Sequence, residues 1–134
     1  MRGLLPAAIF YLLSFQSYSQ SSDLKKIILQ LDTMADGPVL GHFKNNVLAF
    51  SGEVVSGKMS GIWIFWNAQG VIKSKSLYEN GKKEGVEFLY DSQGLPLSEN
   101  NFSAGILNGP YIEYYELFSP ALVGFYNQGK KDST

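Results

Sequence analysis

The stretch that decides the fold is Gly57-Lys58-Met59-Ser60-Gly61 together with its echoes, Gly81-Lys82-Lys83-Glu84-Gly85 and Gly105-Ile106-Leu107-Asn108-Gly109. The three copies are spaced 24 residues apart, and a fourth begins at Gly129-Lys130-Lys131-Asp132. A fixed period in the twenties marks a repeat architecture. After each glycine pair comes a run rich in aromatic and β-branched residues. The first is Ile62-Trp63-Ile64-Phe65-Trp66, the second Val86-Glu87-Phe88-Leu89-Tyr90, and the third covers residues 110–115. Such runs are strands. Asn67-Ala68-Gln69-Gly70 and Asp91-Ser92-Gln93-Gly94 follow as turns opened by an Asn or Asp side chain. A second strand returns over residues 71–79 and 95–103, and residues 79–85 form the loop to the next copy, with Asn80-Gly81 as its hairpin signal.

Each unit is therefore a β-hairpin. The loops are too short for a crossover helix, so neighbouring strands must be antiparallel. The predicted fold is mostly β: a meander of hairpin repeats forming one twisted sheet, with a short N-terminal helix. Alternation assigns the faces. Positions 62, 64 and 66 and their equivalents are apolar in every copy, which predicts a buried face. Trp63 and Phe65 point the other way, with Glu87, Leu89, Tyr111 and Glu113 as their counterparts. Two aromatic rows run across the copies, Trp66/Tyr90/Tyr114 and Tyr78/Phe102/Tyr126, and both are expected in a stacked core.

Residues 1–19 read as a secretory signal peptide. Arg2 gives a positive start, residues 4–15 are apolar, and Ser17 and Ser19 set cleavage after Ser19. The apolar run is too short to span a membrane. Residues 21–35 follow as a capping helix, with Leu24, Ile27, Ile28, Leu31 and Met34 on one face and Gly37-Pro38 as the stop. Its polar face carries both signs of charge, which favours a cap on the stack over a helix at a membrane surface. The domain boundaries are thus 1–19 leader, 20–37 cap and 38–134 repeat domain. Residues 39–53 are expected to form a degenerate first repeat, with Gly37 and Gly41 standing 20 residues before Gly57 and Gly61.

The chemistry-bearing residues are sparse. The chain has one histidine, His42, and no cysteine, so thiol catalysis and thiolate metal sites are excluded. Its net charge of −1 and its scattered lysines give no basic face for nucleic acid. No nucleophile–base pair appears, and the glycines recur without the helix a phosphate loop needs. No catalytic residue, metal ligand or cofactor is expected.

The whole pattern resembles the MORN repeat. Gly-x-x-x-Gly, an aromatic strand ending in Phe-x-Tyr or Ile-x-Tyr, Asx-x-x-Gly, and then Tyr-Glu-Asn-Gly-Lys carry the likeness across residues 50–131. The Trp63–Gly70 stretch is closest to the bacterial variant. Phe118-Ser119-Pro120 and Ser133 depart from the pattern, because each replaces a glycine-bearing turn position. The resemblance implies an elongated antiparallel sheet and a role in protein–protein contact. In some members it implies phospholipid association, and in some bacterial variants an antitoxin label, which a signal peptide opposes. It brings no catalytic residues.

The functional expectation is an exported, non-enzymatic interaction module in the periplasm or beyond it. Trp63, Phe65 and Tyr111 are its candidate partner-binding patch, on the premise that they are exposed. The alternative is an envelope ligand binder whose aromatics stack on glycan or rest on lipid headgroups. Lys130 and Lys131, beside a last strand over residues 121–128, argue for a monomer.

Overall fold

The computed structural model describes residues 20–115 and 119–132; the expected leader lies outside them, as does Phe118. Within the described residues, one helix precedes nine strands that form a single antiparallel sheet in chain order. The helix α1 is Gln20–Leu31. The strands are β1 (Gly37–His42), β2 (Leu48–Val55), β3 (Lys58–Trp66), β4 (Ile72–Glu79), β5 (Lys82–Tyr90), β6 (Pro96–Ser103), β7 (Ile106–Tyr114), β8 (Pro120–Asn127) and β9 (Lys130–Asp132). The expected hairpin meander is what the chain forms.

The 24-residue period is visible in the backbone itself. At one end of the sheet, Ser56-Gly57, Asn80-Gly81, Ala104-Gly105 and Gln128-Gly129 are two-residue turns in which both residues have positive φ, between 48° and 85°. This is the type I′ geometry whose twist matches that of the flanking strands, and a glycine at its second position avoids the left-handed penalty. The turns are also bonded from copy to copy. Gly81, Gly105 and Gly129 donate their N–H groups to the carbonyls of Met59, Lys83 and Leu107 at 2.7–3.0 Å. Side chains add a second ladder: Asp36, Glu84 and Asn108 accept from the backbone N–H of Ser56, Ala104 and Gln128, each 20 residues on.

At the other end, Asn67 and Asp91 each accept two backbone N–H bonds through Oδ1, from Gln69 and Val71 and from Gln93 and Leu95. Asn45 and Asn67 reach on through their amides to the carbonyls of Ala68 and Ser92 in the next turn. A register shift recurs at Gly41/His42, Phe65/Trp66, Leu89/Tyr90 and Glu113/Tyr114, again every 24 residues. A second shift recurs in the alternate pairings. Repeated bulges increase the right-handed twist of a sheet.

Several expectations need correction. The loop between copies is two residues long, not the seven of positions 79–85, because Gly61, Gly85 and Gly109 lie inside strands rather than in turns. Gly37 is the partner in period of Gly61, exactly one repeat of 24 earlier in the chain, and Phe43 is that of Asn67, since the same turn bond closes residues 43 to 47 and 67 to 71. The first copy is thus in full register rather than displaced by four. The helix ends at Leu31, ahead of Gly37-Pro38, and Ile28 is half-exposed while Ile27, Leu31 and Met34 are buried. The strand over residues 121–128 does have a successor, since β9 pairs with its Phe125–Asn127 end.

The largest correction concerns the faces. Ile27, Leu31 and Met34 pack with Val39, Phe50, Val54, Met59, Trp63 and Tyr78 in one core. The helix therefore covers the face that carries Trp63. Ile62, on the opposite face, is 54 % exposed where Trp63 is 0 % exposed. Alternation alone cannot choose between the faces here, because both are apolar in this copy. Two local features decide it. A Cβ on Gly52 would lie 2.2 Å from the Trp63 ring, so only glycine lets the indole lie flat on β2. Its Nε1–H is satisfied by the carbonyls of Glu53 and Ser60, both at 3.2 Å, as a buried indole requires.

Candidate interaction surface

Trp63, Phe65 and Tyr111 share the helix-side face, as the alternation predicts, but they do not make an exposed patch. Trp63 is fully buried, Phe65 is half-buried against the same core, and Tyr111 is 7 % exposed. Trp63 and Phe65 stack with centroids 6.2 Å apart. Tyr111 is four strands away, where it meets Tyr126 at 4.8 Å. It lies over Gly124 as Trp63 lies over Gly52, and a Cβ there would approach its ring to 2.5 Å. The helix does not reach this part of the core; Lys131 spans it instead, 5.0 Å over the Tyr111 ring and 5.8 Å over Tyr126. Lys83 sits 5.0 Å over Phe102 in the same manner. Aliphatic lysine stems covering rings, with the ammonium held by their negative faces, do here what the helix does at the other end.

Between these two zones the helix-side face turns polar. Glu87 occupies the place of Trp63 and Tyr111 in the middle copy and is buried. Its Oε1 accepts from Lys83 and from the Ser76 hydroxyl. The pair is held on both sides, which a buried carboxylate needs.

The outer face is the uncovered one. Strand pairing places Ile62 opposite Leu77, Val86 opposite Asn101, and Pro110 opposite Phe125 on it. Ile62, Leu77, Val86 and Phe125 are among the exposed large hydrophobics. Trp66, Tyr90 and Tyr114 end their strands here, paired with Ile72, Pro96 and Pro120. This row was expected in a core with Tyr78, Phe102 and Tyr126, yet the two rows lie on opposite faces. Lys75, Glu84 and Glu99 are interspersed among the apolar positions.

One concavity stands out on this face. Phe88, Leu89, Tyr90, Pro96, Ser98, Glu99 and Tyr114 line a notch of about 220 Å³. The Tyr114 hydroxyl donates to Glu99. That bond to a carboxylate favours the protonated phenol and raises the Tyr114 pKa, with partial desolvation adding to it.

Among the described residues, no group of three His, Asp or Glu side chains is placed to hold a metal ion, and no helix is long and apolar enough to cross a membrane. His42 is half-buried at the end of β1. Comparison with known protein families, with characterised proteins and with solved structures finds no match to this chain.

Proposed function

We propose that this chain is an exported, non-enzymatic interaction module that binds a protein partner in the cell envelope through the outer face of its sheet. The observation that carries the proposal is the outer face itself, which exposes Ile62, Leu77, Val86 and Phe125 and is covered by no described element. Exposed apolar side chains set among polar ones in this way mark contact sites. The 24-residue hairpin period supports reading the chain as a bacterial variant of the MORN family, whose members serve protein contact. The leader-like pattern of residues 1–19 supports export. The partner-binding residues move from Trp63, Phe65 and Tyr111 to Ile62, Leu77, Val86 and Phe125.

The test compares two variants of the full chain after crosslinking in its own cells. Ile62→Lys with Val86→Lys changes exposed positions, so stability should move by no more than about 0.5 kcal/mol per site, while partner capture is lost. Trp63→Ala empties a fully buried site and should cost about 3–5 kcal/mol, so any loss of capture there follows loss of the fold. Undiminished capture by the folded Ile62/Val86 variant would overturn the proposal. Retention on insoluble glycan or on liposomes, abolished by the same pair, would turn the surface into a ligand-binding face instead.

A further inference from the structure

The notch on the outer face has a chemistry that the rest of the face lacks. Its volume of about 220 Å³ is below the roughly 300–1,000 Å³ of small-molecule clefts, so it suits one side chain rather than a whole metabolite. Phe88, Tyr90 and Tyr114 give it aromatic walls, and Pro96 an apolar one. Its single charge is Glu99, with which no lysine forms an ion pair among the described residues. The hydroxyl of Tyr114, a donor a neutral polar ligand would want, is already given to Glu99. Besides the Ser98 hydroxyl, whose oxygen already accepts from Asn100, what remains is acceptor character: ring faces with negative quadrupoles and a carboxylate. That combination attracts a cation and repels an anion.

The neighbouring copies sharpen the assignment. The position of Glu99 is held by Lys75 one copy earlier and by Val123 one copy later. Of these three copies, the middle one alone carries a carboxylate at this position. Lys75 and Glu99 both neighbour Phe88, one on each side, so they lie two strand spacings apart, roughly 9–10 Å. An extended segment crossing the strands advances about 3.3 Å per residue.

We infer that the notch formed by Phe88, Tyr90, Pro96, Glu99 and Tyr114 receives one lysine or arginine side chain of the protein partner, an inference that rests on the interaction-module reading above. The test follows the ring proton NMR signals of Tyr90 and Tyr114 in the full chain. Blocked Gly-Arg-Gly is expected to shift both signals, and blocked Gly-Gln-Gly neither. Glu99→Gln keeps the shape of the side chain and should weaken the arginine peptide about tenfold, as loss of a charge-assisted bond does. Tyr114→Phe keeps the ring and releases the carboxylate oxygen it held, so binding should be unchanged or tighter. Equal shifts from both peptides, or no effect of Glu99→Gln, would overturn the inference. So would Glu99-dependent retention on phosphatidylcholine vesicles without any response to the arginine peptide, since the cation would then be a lipid headgroup. The two readings separate cleanly. If the Ile62/Val86 variant loses its partner while the arginine peptide leaves Tyr90 unmoved, the notch fails and the module stands. If the peptide binds while every outer-face variant keeps its partner, the module reading fails, the partner's side chain is not the occupant, and only the cation preference of the notch stands.

Discussion

Tyr78 shows how much one residue on the helix-side face is shaped by its surroundings. It is 6 % exposed and meets Trp63 edge-on, with centroids 6.4 Å apart and planes at 69°. Burial, and secondarily the charge of Glu87, pushes its pKa up to about 12 from 10.0. Both act against the phenolate. Between those two values the unfolded chain has given up the Tyr78 proton while the folded chain keeps it. The folded state then binds more protons, so stability falls as pH rises. The contribution is complete below pH 10 and should decline by on the order of 2 kcal/mol by pH 12. Tyr78→Phe removes this slope and leaves every other alkaline titration in place. The denaturant midpoint should therefore fall further between pH 9 and pH 11.5 for the unaltered chain than for Tyr78→Phe. Parallel behaviour would show that Tyr78 ionises as freely in the fold as outside it.

At the scale of strands and turns, the hairpins, their antiparallel order and the Asx turns were legible, because each rests on a local signal: Asn80-Gly81, Asn67 with Gly70, Asp91 with Gly94. The choice of buried face was not. Ile62-Trp63-Ile64-Phe65-Trp66 is apolar on both sides, and what breaks the tie is a glycine on another strand. Which ring lies over which glycine depends on strand pairing rather than on local alternation, and the exposed apolar side chains lie on the face opposite Trp63, Phe65 and Tyr111. In hindsight a signal exists. Trp63 and Tyr111 have Gly52 and Gly124 beside them, whereas Glu87 has Ser76 and Asn100. A ring at this position demands a neighbour without a Cβ. Glu87→Tyr should therefore destabilise by about 1–3 kcal/mol through overpacking. Combined with Asn100→Gly, which recreates the Tyr111/Gly124 pair, it should recover at least about 1 kcal/mol beyond the sum of the single changes. A double-mutant cycle by chemical denaturation reads that coupling. Additive effects would mean that the middle copy can seat a ring over a side chain, and the rule would not hold.

Across the whole molecule, the same hairpin is stabilised differently along the sheet. Every member of the main buried cluster lies between Ile27 and Tyr78. Beyond Tyr78 the only buried large hydrophobic among the described residues is Tyr111, and lysine stems take the place of the helix. Hairpin repeats contact only their neighbours, so local stability follows the local interface rather than a shared core. Backbone bonding is nonetheless uniform, with the turn-to-turn bonds of Gly81, Gly105 and Gly129 recurring unchanged. Opening free energy should then be polarised by side-chain burial alone. Native-state amide exchange in low denaturant should show β2, β3 and β4 opening at a free energy about 2 kcal/mol or more above that of β7 and β8. Trp63→Ala should narrow this gap by lowering the first group and leaving the second near its original value. If all the strands open together at one free energy, the sheet is a single cooperative unit. The bonds between turns, rather than the helix-covered core, would then set the stability of every copy.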